Sequence, residues 1–233
     1  MTDCAFTGNS ATLSGGAFGA NNGGAPHIER CTFFDNQGAT GGGLSISYFA
    51  TPTLVNCVIA GNTSTGMGGG IVGGNMSTIS LRNCTLAGNT AGTDGGGMLN
   101  SASTFTLANC ILWDDTLSSG AANEMAVYGP GTFSISYSCV EGGYSGTGNV
   151  SENPRFVNLA NGDCHLFAGS PCLDAGTDSG APTEDRDGVA RPQGAGYDMG
   201  AYEGFQEEYI YWINYDTNTI GRAKIDGSGA NQN

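Results

Sequence analysis

The chain is short of positive charge, and of charge altogether. Seven Lys and Arg stand against 21 Asp and Glu, a formal net charge of −14, and only 12% of the 233 residues are charged. That balance repels phosphate backbones and anionic bilayers, which argues against a nucleic-acid partner. No apolar run approaches the ~20 residues of a spanning helix, so no membrane insertion is expected of this segment. The opening MTDCAFTGNS has neither the basic nor the apolar part of a signal peptide. Helical periodicity is missing throughout, as are the close CxxC pairs that gather a structural zinc. Glycine is abundant, 41 residues, but lacks the strict G-X-Y period of collagen.

What is there repeats. DCAFTGNSATLSGGAFGA, RCTFFDNQGATGGGLSIS, NCVIAGNTSTGMGGGIVG and NCTLAGNTAGTDGGGMLN are versions of one phrase. Cys4, Cys31, Cys57, Cys84, Cys110 and Cys139 mark its register at intervals of 27, 26, 27, 26 and 29 residues. Five positions after the first five cysteines come Asn9, Asn36, Asn62, Asn89 and Asp115; two positions after them come Phe6, Phe33, Ile59, Leu86 and Leu112. Glycine runs then lead into Ala17 and Phe18, Leu44, Ile71 and Met98.

Between these markers PTLVNCVIAGN, STISLRNCTLAGN and STFTLANCILWDD alternate apolar and polar residues, rich in β-branched types, as short strands do. A unit of about 26 residues is too short for a propeller blade and has no helix. The expected fold is all-β: a right-handed parallel β-helix of about six coils, with about three short strands per coil stacked at roughly 4.8 Å. An irregular C-terminal cap and a short β tail complete it. The boundaries drawn are 1–140 for the coils, 141–204 for the closing coils and cap, and 205–233 for the tail.

Equivalent residues of successive coils then lie above one another. The six cysteines are expected as one buried column of free thiols acting as small hydrophobes. Asn9, Asn36, Asn62 and Asn89 are expected as a structural ladder at a corner, since asparagine tolerates the left-handed region and can bond the next coil. The glycines are expected to turn a sharp corner at positive φ.

Repeats in which FxxN (Phe6 to Asn9, Phe33 to Asn36) alternates with GGG or GGA resemble those of the chlamydial polymorphic outer-membrane proteins and related bacterial surface β-helix proteins. The resemblance covers residues 1 to about 140. It implies an extracellular or cell-surface location in a bacterium. Ser170-Pro171, Asp174-Ala175-Gly176, Asp185, Asp187-Gly188, Arg191-Pro192 and Asp198 to Glu203 resemble the closing segment of bacterial secreted β-helix proteins, which finishes the last coils. Tyr209 to Gly229 is similar to a single YWTD-type propeller repeat, through Tyr211-Trp212, Ile220 to Ala223 and Ile225 to Gly229; one repeat cannot close a propeller.

Asp174, Asp185, Asp187 and Asp198, with Glu203, are numerous enough to raise Ca²⁺ as a cofactor, since hard cations want clustered oxygens. Against it, Arg186 and Arg191 can pair with them, and the spacing is not that of a calcium loop; no other cofactor is expected. Cys164 and Cys172 break the ladder register and are the best candidates for a disulfide, which suits an extracytoplasmic setting.

Many parallel β-helices act on polysaccharides, but the catalytic signal is missing. The coils offer only Arg30 and Arg82 as cations for a uronate, with no lysine. Asp114 and Asp115 are adjacent and should face opposite ways, leaving Glu124 as the one alternative partner for a glycosidase pair. His27 and His165 have no evident nucleophile. Tyr48, Phe49, Trp113, Tyr128, Tyr137 and Tyr144 could form an aromatic surface for sugars. The sequence therefore reads as a structural or adhesive surface module rather than an enzyme, with carbohydrate binding or action as the alternative. Its partners would be other surface proteins, glycans or itself, with end-to-end assembly through Tyr209, Tyr211 and Trp212.

Overall fold

The computed structural model describes residues 1–214, 219–224 and 231–232. It is a right-handed parallel β-solenoid of about five turns, and the described residues contain one short 3₁₀ turn, Leu159–Asn161, and no longer helix. Each complete turn contributes four short strands where three were expected, because the stretch after each ladder asparagine, such as Thr63–Ser64, pairs as well. In one turn these are Thr53–Val55, Val58–Ala60, Thr63–Ser64 and Ile71–Gly74.

Four parallel sheets result, named here in chain order. The first sheet stacks Ala5–Thr7, Thr32–Phe34, Val58–Ala60, Thr85–Ala87, Ile111–Trp113 and Cys139–Val140. The second runs from Gln37–Gly38 to Thr116–Leu117, the third from Phe18–Ala20 to Met125–Tyr128, and the fourth from His27–Glu29 to Thr132–Ser136.

The core consists of columns. Phe6, Phe33, Ile59, Leu86, Leu112 and Val140 are paired in register along the first sheet, and Phe18, Leu44, Ile71, Met98 and Met125 along the third. Phe6 and Phe33 stack with centroids 5.0 Å apart. Full burial of one such side chain stabilises the fold by about 1.5–3 kcal/mol. The corner glycines are dictated by close approach: Gly41, Gly68 and Gly95 have φ of 65°, and a Cβ on Gly42 or Gly69 would collide with the backbone of the next coil.

Two expectations about the corners are corrected. Cys4, Cys31, Cys57, Cys84 and Cys110 do form a column, buried beyond the first. Each thiol donates to the carbonyl two residues before it, at 3.2–3.3 Å. Cys139 is not in it. Cys139 pairs with Ile111, so Ser138 holds the column position, and its hydroxyl donates to the Ser136 carbonyl at 2.8 Å. The ladder asparagines, secondly, are not the left-handed residues. That conformation belongs to the residue before each: Gly8, Asp35, Gly61, Gly88 and Asp114. The asparagine itself points inward and bonds the next coil.

Residues 141–204, expected as closing coils and a cap, do more than end the solenoid. Only the first of them close the last coil: Tyr144 packs on the core, and Val150 bridges to Cys139. The rest runs back along the outside of the first sheet. Asn109 meets Thr177, Arg82 meets Ser179, Asn56 meets Glu184 and Thr32 meets Arg186, after which the chain returns past Asn83 to Asn109. This strap buries Val58 and Ala60 with Cys164, Ala201 and Tyr202, and Ile111 and Cys139 with Leu166, Cys172 and Met199. Beyond its first strand, the first sheet is thus covered on both faces. The tail begins as Phe205–Gln206, paired parallel with Leu166 and Phe167, and continues as an antiparallel hairpin of Tyr209–Asn214 and Thr219–Lys224 with Asn231–Gln232 on its edge.

Candidate functional site

The strap is held by a column the sequence reading passed over. Arg30, Asn56, Asn83, Asn109 and Tyr137 precede the inward cysteine or serine of their coils and have φ of 48°, 51°, 47°, 54° and 48°. Asparagine is the cheapest non-glycine residue there, and its amide is left facing outward. Asn56 Nδ2 donates to the Glu184 carbonyl at 2.7 Å, Asn83 Nδ2 to Asp198 at 3.2 Å and Asn109 Nδ2 to Thr177 at 2.8 Å. Asn109 Oδ1 accepts the Thr177 amide in return at 2.8 Å. The available signal was the dipeptide Asn-Cys in three consecutive repeats, in which the first residue carries as much structure as the second.

At the strap's centre Arg191 is buried. It donates to Glu203 Oε2 at 2.5 Å and to the Gly200 carbonyl at 2.9 Å, and burial lowers its pKa from the usual value. Of the four calcium candidates, Asp185 and Asp198 lie close enough to act on it, and three of the four are tied to backbone amides of the strap. Asp185 accepts the amides of Asp187, Val189 and Glu203; Asp198 accepts those of Asp174 and Gly204; Asp174 accepts that of Gly196. Asp187 faces His165 Nε2 at 3.1 Å. Among the described residues no three His, Cys, Asp or Glu side chains come together as a ligand set. Burial pushes Asp198 up to about 6 while the amides of Asp174 and Gly204 pull the other way.

The expected bridge between Cys164 and Cys172 is not made. All eight cysteines are free, and these two lie in separate apolar clusters on the strap. Cys172 instead meets Cys139, the thiol that the register shift turned outward.

Both cations proposed for a uronate have partners within the chain. Arg30 pairs with Asp3 at 2.8 and 2.9 Å, and Arg82 donates to the Ser179 carbonyl at 3.3 Å. Asp114 turns outward and Asp115 inward, where Asp115 is fully buried beside Glu124. His27 lies 3.4 Å from Glu29, and His165 has both ring nitrogens engaged, by Asp163 at 2.6 Å and Asp187, with its ring stacked on Tyr202.

The aromatic candidates separate. Trp113 and Tyr137 pack under the strap and Tyr144 on the core. Tyr48, Phe49 and Tyr128 stand exposed, joined by Met76, on the corner between the third and fourth sheets. In the tail Tyr209 packs near Tyr211 and under the Arg222 guanidinium, 4.9 Å from its ring centre. Tyr211 is exposed and Trp212 half-buried over Gly221. The Ile225 to Gly229 part of the YWTD-like phrase lies outside the described residues.

A family model described as the right handed beta helix region matches residues 1–112. No curated protein and no solved structure is significantly similar to the chain. Fold and match together define a right-handed β-helix repeat protein.

Proposed function

We propose that this chain is a rigid module of an extracellular or cell-surface bacterial protein, presenting a lateral surface for adhesion or assembly. One observation carries the reading. Tyr48, Phe49 and Met76 sit at φ of 53°, 64° and 59° and are 54%, 57% and 63% exposed. Asn22, Gly23 and Asn75, which turn the same corner in neighbouring coils, are the residue types that this backbone ordinarily takes. A bulky side chain there costs about 1–2 kcal/mol and still leaves more than half of each residue in water. The fold does not account for these residues; contact with a partner does.

The partners are other surface proteins or glycans. Carbohydrate binding is the second reading, favoured by the flat rings of Tyr48, Phe49 and Tyr128, which can pack on the apolar faces of sugars. A lyase- or hydrolase-like activity has less support, because the strap covers the outer face of the first sheet and engages Arg82, while Asp3 engages Arg30. End-to-end self-association is a further route to assembly, since Met125–Tyr128 is the outermost strand of its sheet.

Binding to immobilised glycans and matrix proteins, compared between the native chain and Tyr48→Asn/Phe49→Gly, tests the reading. The variant should be at least as stable and should lose binding by about tenfold or more, the loss of a small hot spot. Unchanged binding refutes the role of the ridge.

A further inference from the structure

The asparagine ladder repeats one arrangement at each rung. The backbone N and Nδ2 of Asn9 donate to Asn36 Oδ1 at 3.0 and 2.9 Å, and those of Asn36 donate to Asn62 Oδ1 at the same distances. Asn62 repeats this to Asn89 at 2.9 and 2.9 Å, and Asn89 to Asp115 at 2.7 and 2.8 Å. Nδ2 also has a second acceptor: the carbonyl of Phe6, Phe33 or Ile59, for Asn36, Asn62 and Asn89 respectively. Two hydrogens serve two acceptors, so each buried amide is satisfied.

Asp115 ends the series without a nitrogen. Its backbone N–H donates to Glu124 Oε1 at 3.1 Å, so the Glu124 carboxyl stands where the next rung would be. A Cβ on Gly43 would face Asn62 Nδ2, one on Gly70 Asn89 Nδ2, and one on Gly97 Asp115 Oδ2, which therefore occupies the amide-nitrogen slot. Asp115 is fully buried and Glu124 is 8% exposed, yet Asp115 Oδ2 and Glu124 Oε2 have no hydrogen-bond partner. The other ionisable groups around them are Asp114, Glu141, whose Oε2 accepts the Asp114 amide at 2.7 Å, and the Cys164 thiol of the strap. Among the described residues no Lys, Arg or His forms an ion pair with any of these carboxyls. Two bare carboxylates in a dry site would repel with nothing to offset the loss of water.

We propose that Asp115 and Glu124 hold one proton between them at neutral pH, a carboxylic acid–carboxylate hydrogen bond that replaces the last amide rung, and that losing it loosens the final coil. Burial raises both groups, Asp115 to about 7 and Glu124 to about 11, and the proton belongs to the pair rather than to either oxygen. Raised folded-state values fix the sign. The stabilisation is complete below the ordinary carboxylate range and declines steadily as pH rises above it, the shared proton being the last to leave, well on the alkaline side of neutrality. The strands that depend on it are Met125–Tyr128, next to Glu124, and the outermost Thr132–Ser136.

Thermal unfolding from about pH 4 to about pH 9, in the native chain and in Asp115→Asn, is the test. The native Tm should fall by several degrees relative to the variant across that range, with Asp115→Asn the more stable above neutrality. The infrared carbonyl band of a protonated carboxyl at neutral pH should be present in the native chain and lost in Asp115→Asn/Glu124→Gln. Parallel Tm curves, or no such band, overturn the proposal. So does a rise in the native Tm at alkaline pH on adding Ca²⁺ that Asp115→Asn lacks, since a cation would then be the neutralising group.

Discussion

The Ser138 hydroxyl accepts the Cys110 backbone amide at 3.0 Å, as the Cys84 thiol accepts that of Cys57 at 3.4 Å. A serine thus completes a cysteine column, and Cys139, the residue that looks like its last member, serves a different surface. Ser138→Cys is expected to fold normally and change stability by less than about 1 kcal/mol, because it restores the repeat. Leu86→Ala, in the adjacent column, should cost about 2–5 kcal/mol. Urea unfolding of both variants checks the contrast, and a large loss for Ser138→Cys would deny that the two side chains are interchangeable here.

The same register shift decides which thiols can meet. The free protein should show eight titratable thiols in denaturant. Under an oxidised-disulfide buffer, Cys172 is expected to pair with Cys139 across the strap, since ladder neighbours project in parallel and bond poorly. Peptide mapping under non-reducing conditions reads the outcome; a Cys164–Cys172 linkage would contradict the placement of these residues.

A third expectation concerns the outward asparagines. Asn83→Ala removes a donor to the Asp198 carbonyl and places alanine at φ 47°. The two losses together should cost about 2–3 kcal/mol. Hydrogen exchange should accelerate in residues 172–203 and not in Leu81, Leu86 or Leu107. Uniform acceleration would mean that the strap and the solenoid unfold as one unit.

How far the fold was legible follows from these positions. Phe33, Ile59 and Leu86 announce their column because a solenoid repeats one environment, and period plus polarity is enough to find it. The strap is not periodic, so its docking had no such signature. A trace was present in VIA and TLA, whose strands are apolar or small at positions that alternation should make polar; Val58, Ala60, Thr85 and Ala87 are all buried. Asp115 was visible as a break in a run of asparagines, but its meaning depended on Glu124, nine residues away in a turn with no repeat to align it. The exposed ridge of Tyr48, Phe49 and Met76 was harder still, because nothing in one sequence distinguishes an aromatic that fills a gap from one facing water.

Arg191 offers the sharpest test of how the strap is held. Its guanidinium is fully buried with the Glu203 carboxylate, and Asp185 and Asp198 lie close enough to act on it. Removing one partner of a buried pair leaves an uncompensated charge, at about 3–5 kcal/mol, whereas removing both is far milder. Arg191→Met should therefore release the strap, and Arg191→Met/Glu203→Gln should largely restore it. The pH dependence supplies an internal control. Asp198 is already raised to about 6 by burial, so its protonated form fits the site better, and stability from this source is lost as pH rises through that value. Loss of the nearby cation can only push it higher. Arg191→Met should accordingly recover strap protection in mild acid and lose it near neutrality, measured by hydrogen exchange of residues 184–203. If the single variant keeps the strap docked at neutral pH, the ion pair is not what holds it, and the outward amides of Asn56, Asn83 and Asn109 must suffice.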